Sequence, residues 1–125
     1  MGKIIKKRFD ISVTQPNTVV SKNFELDKNI TAIKGMIVSS DRDDLLYYRG
    51  SQKLEINRDE IFPENYECKL LMSGVNVPPQ SRYYDLGGMP PGNGIIKIDF
   101  KDGDMSFVFF QPYRVSYYFE CETNE

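Results

Sequence analysis

Histidine most often supplies the general base of an active site or the ligand of a metal, and this chain of 125 residues contains none. Nucleophiles of the Ser–His and Cys–His types are therefore excluded. A pair of carboxylates could still serve a glycosidase, which needs two of them about 5–10 Å apart. The candidates are Glu55, Glu60, Glu67 and Asp99. Because Glu55 and Glu67 alternate with apolar residues, they are expected on the outward faces of strands, and we predict no catalytic residues.

An acidic segment, Asp41-Arg42-Asp43-Asp44, has the oxygen ligands that Ca²⁺ prefers. A calcium loop also needs glycine at its sixth position and Glu at its twelfth, where this chain has Leu46 and Gln52. We therefore interpret the segment as a solvated turn and predict no metal site.

The segment DLGGMPPGNG, residues 85–94, contains the G-x-x-x-x-G spacing of a phosphate-binding loop from Gly87 onward. No Lys-Ser or Lys-Thr follows, two prolines remove amide donors, and the next residues, 95–98, predict a strand instead of a helix. We predict no nucleotide or other cofactor. The segment is instead expected to be a docking loop that contacts a partner through Met89, Pro90 and Pro91.

Three tyrosine doublets occur, at 47–48, 83–84 and 117–118, and Arg49, Arg82 and Arg114 lie within three positions of them. Neighbouring strand residues face opposite ways, so each doublet should place one ring in the core and one outside. In the last doublet Tyr117 is in phase with the core. Exposed Tyr beside Arg is typical of protein interfaces, while cross-strand aromatic packing and stacking on sugars or bases are the alternatives. The predicted interface residues are Tyr47, Arg49, Tyr84, Arg114 and Tyr118.

Period-2 alternation of apolar residues positions all of these side chains. Candidate strands cover residues 8–14, 19–26, 30–38, 45–49, 53–56, 66–72, 83–86, 95–100, 105–111 and 114–122. An Asp-Gly step at 102–103 predicts a hairpin, and the best helical candidate is a single turn at 58–61. The pattern predicts an all-β fold: a single domain, residues 1–125, built as an antiparallel β-sandwich of 8–10 short strands.

Two strands, residues 30–38 and 105–110, have apolar residues on both faces, so their second face should be covered by a loop or by another chain. Cys68 and Cys121 each fall on the apolar face of a strand and are expected to be buried. A disulfide between them fits this parity, although a reducing compartment disfavours it.

The chain has a net charge of −2, which is unusual for a general nucleic-acid binder. A basic arm, residues 1–8 with Lys3, Lys6, Lys7 and Arg8, is interpreted either as a solvated chain end or as a segment that contacts an acidic partner, lipid headgroups or nucleic acid. We find no membrane span and no secretory signal, which predicts synthesis in cytosol-like conditions.

The strand series, with residues 32–57 (AIKGMIVSSDRDDLLYYRGSQKLEIN) and 107–122 (FVFFQPYRVSYYFECE), resembles the small single jelly-roll proteins of bacteriophage virions, which serve as pentons, minor capsid proteins or head-decoration proteins. The resemblance implies a jelly-roll-like sandwich located in the virion and made in the host cytoplasm. It also implies a structural, non-catalytic role, with copies of itself and other capsid proteins as partners.

Two other functions are compatible with a β-sandwich. A carbohydrate-binding module would use exposed aromatic platforms, although this chain has no Trp, the ring most useful for stacking on sugars. An enzyme or accessory domain that relies on carboxylates is the third alternative.

Overall fold

A computed structural model describes residues 3–67, 71–72, 83–103 and 109–124, without the side chains of residues 43, 64 and 65. The described residues form eight strands and one helix. In chain order these are β1 (Ile4–Val13), β2 (Val19–Glu25), β3 (Ile30–Ser40), α1 (Asp43–Arg49), β4 (Gly50–Ile56), β5 (Asp59–Glu67), β6 (Tyr84–Met89), β7 (Ile95–Asp102) and β8 (Tyr113–Thr123).

The strands form two four-stranded antiparallel sheets, sheet A in the order β1-β8-β3-β6 and sheet B in the order β2-β7-β4-β5. Four pairs, β1·β8, β2·β7, β3·β6 and β4·β5, make one long antiparallel ladder. Two further pairs, β3·β8 and β4·β7, appear when that ladder is wrapped into two sheets. This is the strand order of a jelly roll, so the predicted all-β sandwich is confirmed.

The core lies between the two sheets and follows the predicted period-2 alternation. On β8, Val115, Tyr117, Phe119 and Cys121 are fully buried, which confirms the inward phase of Tyr117. Phe9 of β1 stacks on Phe24 of β2 at 4.6 Å and closes one side of the sandwich. On the opposite side, Phe62 of β5 packs edge-on against Tyr84 of β6 at 5.5 Å and stacks on Tyr66 at 4.3 Å.

The sequence of strand β3 suggested a second apolar face that a loop or another chain would have to cover. The structure shows that no covering chain is needed. Its pairing with β8 shifts twice, between Ile30 and Ala32 and between Ile33 and Gly35. Each shift inserts one extra residue into β3, as a β-bulge does. The next large apolar side chain then points into the core again. Ile33, Met36 and Val38 are consequently all buried on one face, opposite Cys121, Phe119 and Tyr117.

Residues 45–49 were expected to form a strand, and this prediction is wrong. They lie in α1, where Leu45, Leu46 and Arg49 are buried while Tyr47 and Tyr48 are exposed. Burial at positions i, i+1 and i+4 is the spacing of one helix face. A run of only five residues, four of them apolar or aromatic, is too short to show the helical period.

The expected helical turn at 58–61 is also absent. A two-residue hairpin turn at 57–58 joins β4 to β5. A strand was also expected at 66–72. Residues 66 and 67 are the last two residues of β5, and residues 68–70 lie outside the described residues. Residues 109–111, the described part of the strand expected at 105–111, are not in a strand.

The basic N-terminal segment is not a free arm. From residue 4 onward it forms the first half of β1, paired with β8 from Ile4 opposite Glu122. Its charges make ion pairs within the chain: Lys6 with Glu120, Lys7 with Asp27 at 3.1 Å, and Arg8 with Asp10 at 2.9 Å. Lys3 precedes the strand, is exposed, and its carbonyl accepts a hydrogen bond from the backbone N–H of Thr123.

Cys121 is a free, buried thiol, and burial raises its pKa from 9.0 to about 11. Cys68, its candidate disulfide partner, lies outside the described residues, as do Arg82 and residues 105–108 of the second doubly apolar strand.

Candidate functional site

Jelly-roll connections place the loops that join the two sheets at the ends of the sandwich. One end, which we call the α1 end, is formed by residues 14–18, by 41–49 with α1, by Gly103 and by 109–112. The opposite end, the turn end, carries the turns at 26–29, 57–58 and 90–94. Loops of this kind are the usual location of binding residues in β-sandwiches.

A buried polar cluster lies beneath the α1 end. Arg49 of α1 donates through Nε and Nη2 to the two carboxylate oxygens of Asp102, at 3.1 and 2.9 Å. The hydroxyl of Tyr113 donates to Asp102 at 2.7 Å, and the backbone N–H of Asn17 donates at 3.1 Å. The side chain of Asp102 is fully buried and that of Arg49 nearly so. The carboxylate therefore ties α1, β7, β8 and the β1–β2 loop together.

This cluster corrects two expectations from the sequence. Arg49 was expected on an exposed interface, but it is only 6% exposed and lies 5.5 Å from the ring of Phe110. Asp102 was expected in a hairpin turn, but it is the last residue of β7. It is in phase with the buried residues Ile98 and Phe100, a signal that was present in the sequence.

Aromatic side chains remain exposed above the cluster. Tyr47 is 46% exposed, Tyr48 is 44% exposed, and their rings meet edge-on at 4.9 Å. Neither ring of this doublet enters the core, because the doublet lies on the outer side of a helix and not on a strand. Phe109, in the segment before β8, is 85% exposed. That segment contacts α1, since Arg42 donates to the side chain of Gln111 at 2.7 Å.

The other predicted interface residues are distributed over the molecule. Tyr84 is 41% exposed and lies at the β5–β6 side of the sandwich. Burial and a hydrogen bond with Tyr84 raise the pKa of neighbouring Tyr66. Tyr118 is half-buried on the outer face of sheet A, where the guanidinium of Arg8 lies 5.7 Å from its ring.

Arg114 is half-buried and bound within the chain. Its backbone N–H donates to Asp41 at 2.9 Å, and its Nε donates to Ser116 at 3.0 Å. Ser116 in turn donates to Asp10 at 2.7 Å. The hydrogen bond from Arg8, together with that from Ser116, holds the pKa of Asp10 below its ordinary value. The structure thus brings Tyr47 to the α1 end but does not group it with Tyr84 or Tyr118.

The glycine- and proline-rich segment lies at the turn end. Met89 ends β6 and is half-buried, Pro90 is exposed, and Pro91 accepts a hydrogen bond from the N–H of Gly94 at 2.9 Å. The predicted strand after the segment is confirmed as β7.

Among the candidate carboxylates, Glu55 lines a depression near the turn end. Glu55 is paired in register with Glu60 across β4 and β5 and forms an ion pair with Lys53 at 3.3 Å. Asp41 and Asp44 bond to Arg114 and Arg42 around the start of α1. Within the described ranges, no group of three or more Cys, Asp or Glu side chains could hold a metal ion.

The described part of the chain has no helix long and apolar enough to cross a membrane. No protein-family model matches the chain, and no curated protein or solved structure matches it either.

Proposed function

We propose that this chain is a non-catalytic structural subunit of a virion, and that it assembles with copies of itself and with other capsid proteins through the α1 end. The observation that carries the proposal is the set of exposed aromatic rings, Tyr47, Tyr48 and Phe109, at one end of a jelly roll. Large exposed aromatic side chains are the groups that dominate binding energy in protein interfaces.

The helix that carries Tyr47 and Tyr48 is held in place by buried contacts. Two buried leucines, Leu45 and Leu46, and the Arg49–Asp102 ion pair hold α1 against the sandwich. A contact surface that is ordered before binding loses less conformational entropy on assembly, which favours affinity. Jelly rolls occur in viral capsids, in lectins and in cupins, and the interior of this one is occupied by side chains such as Phe100, Tyr117 and Phe119. That filled interior favours a role carried by the outer surface.

The test is the assembly state of the purified chain, measured by native mass spectrometry and analytical ultracentrifugation. We expect a closed homo-oligomer, as most symmetric soluble assemblies are. The double variant Tyr47→Ser/Tyr48→Ser should shift it to monomer. Ile4→Ser is the matched control, because Ile4 is 47% exposed but lies at the other end of β1.

A folded monomer that neither self-associates nor binds capsid particles would contradict the proposal. Mass spectrometry of purified particles would test the location in the virion directly: the chain should be present in stoichiometric amounts.

Carbohydrate binding is the second candidate function. It is favoured by a separate feature, a small depression near the turn end whose lining includes charged and amide side chains.

A further inference from the structure

A depression of about 200 Å³ lies on the outer face of sheet B, near the turn end. It is lined by Asn23, Glu55, Arg58, Asn93, Ile95 and Lys97. Asn23 of β2, Lys97 of β7 and Glu55 of β4 are direct neighbours in register and form a row across three strands. The volume is below the roughly 300–1,000 Å³ of sites for drug-sized ligands, so it suits a single small ring.

The lining has the chemistry that a sugar ring requires. Sugar hydroxyls both donate and accept hydrogen bonds, and the site offers amide and cationic donors beside a carboxylate acceptor. Ile95 is 38% exposed and provides an apolar surface for the C–H face of a ring. The lining carries charges of both signs, Arg58 and Lys97 beside Glu55, and Glu55 also forms an ion pair with Lys53 at 3.3 Å. A polyhydroxylated ring fits this mixed set better than a multiply charged phosphate.

Arg58 occupies a costly backbone position at the rim. Asn57 and Arg58 form the two-residue turn between β4 and β5, and both have positive φ, 54° and 67°. Such turns strongly favour Asn followed by Gly, because a side chain at the second position is disfavoured in this conformation. Strained backbone of this kind is concentrated at ligand-binding positions. A long cationic side chain at a position suited to glycine therefore points to a use for the guanidinium.

The two turns that border the depression are locked together. The side-chain oxygen of Asn57 accepts from the backbone N–H of Asn93 at 3.0 Å, and the N–H of Asn57 donates to the carbonyl of Ile95 at 3.1 Å. Gly92 packs so closely that a Cβ there would lie 2.0 Å from Cγ of Asn57. Arg58 and Asn93 are thus held in a fixed relation before any ligand binds, which is the arrangement that a binding site needs.

We propose that this depression binds one saccharide unit of a glycan, with Arg58, Lys97, Asn23 and Glu55 bonding the hydroxyls and Ile95 packing against the ring. The inference deepens the second candidate function and does not depend on assembly through the α1 end.

The experiment is a titration of the full chain, labelled with ¹⁵N, against neutral hexoses, N-acetylhexosamines and uronic acids at the millimolar concentrations that weak single-ring binding requires. At least one sugar should give saturable shifts confined to residues 22–25, 55–58 and 93–97. Lys97→Ala should weaken its Kd about tenfold or more, because a charged hydrogen bond is lost. Lys101→Ala is the matched control on the same strand, since Lys101 is exposed and does not line the depression.

Arg58→Gly separates binding from folding. It should weaken the same Kd about tenfold or more while the melting temperature stays equal to that of the wild type or rises, because glycine removes the backbone strain. The proposal is overturned if no sugar in the panel gives saturable shifts, or if the shifts persist unchanged in Arg58→Gly. Native mass spectrometry of the same variants should show the wild-type assembly state, so failure here is distinguishable from failure of the assembly role.

Discussion

The substitution Asp102→Asn tests the buried cluster under the α1 end. The Asp102 carboxylate accepts four hydrogen bonds, two from Arg49, one from Tyr113 and one from the backbone of Asn17. Asparagine keeps the shape but removes the charge, and its NH₂ group must face at least one of these donors. The variant therefore takes from the buried Arg49 guanidinium the negative charge that Asp102 supplies.

The expected loss follows from that burial. Removing one partner of a buried ion pair costs about 3–5 kcal/mol, because the remaining charge is desolvated and uncompensated. Tyr113→Phe removes one hydrogen bond to the carboxylate and leaves the ion pair intact, so its cost should be about 1.5–3 kcal/mol. The free energy of unfolding of a domain this size is about 5–15 kcal/mol, and Asp102→Asn should remove a large share of it.

Urea denaturation monitored by circular dichroism gives the free energy of unfolding, and hydrogen exchange reports locally on residues 43–49. Asp99→Asn is the matched control, three residues earlier on β7. One carboxylate oxygen of Asp99 is buried and has no hydrogen-bond partner among the described residues, so removing its charge breaks no hydrogen bond of that atom and should leave the free energy of unfolding unchanged or raise it. We expect Asp102→Asn also to increase exchange in α1 selectively.

Two outcomes would refute this reasoning. One is an Asp102→Asn variant that loses no more stability than Asp99→Asn. The other is a double variant, Arg49→Met/Asp102→Asn, whose loss of unfolding free energy equals the sum of the losses in the two single variants. Because the second substitution also removes the guanidinium charge that has lost its Asp102 partner, the double variant should recover at least about 1 kcal/mol relative to the sum of the single variants.

Two further predictions concern buried or crowded positions. In a Cys68→Ser background, Cys121 should resist alkylation at pH 8 until the protein unfolds. Since its folded pKa of about 11 exceeds its ordinary 9.0, stability should fall as pH rises through that interval, measured by urea denaturation at each pH; a stability that is flat across it would contradict the assignment. Gly92→Ala should lose about 1–3 kcal/mol more than Gly87→Ala, because both glycines have positive φ but only Gly92 has a close neighbour, Asn57; equal losses would show that the contact is not rigid.

The period-2 alternation of apolar residues predicted most of the strands. A strand that lies between the core and solvent exposes every second residue. Ile96, Ile98 and Phe100 of β7 and Val115 and Tyr117 of β8 are buried in that phase. The same rule misreads a helix of two turns when its apolar run is too short to show the helical period, as at 45–49, and it misreads a strand with bulges. In β3 the extra residues change the face on which Ile33 and Met36 fall, and only the pairing with β8 reveals this.

The candidate sites were less predictable than the fold, because both depend on which strand ends meet. Tyr47 could be singled out by type, but nothing local shows that α1 and Phe109 share one end of the sandwich. Asp102 was detectable in principle from its phase, since a carboxylate in register with buried residues requires a buried cation. Arg49 is 53 residues away, and the topology alone brings the two together. The depression at the turn end likewise joins β2, β4 and β7, which are far apart in the chain.

The energetically expensive features of this molecule lie beneath its two proposed contact surfaces. At the α1 end a desolvated ion pair supports exposed aromatic rings, and at the turn end Arg58 is held in a left-handed backbone conformation beside the depression. The outer face of sheet A, by contrast, carries exposed ion pairs such as that of Arg8 with Asp10, which contribute little to stability. A fold selected for stability alone would have apolar residues at 49 and 102 and glycine at 58. The charges at these positions therefore support the two proposals, assembly through the α1 end and ligand binding near the turn end.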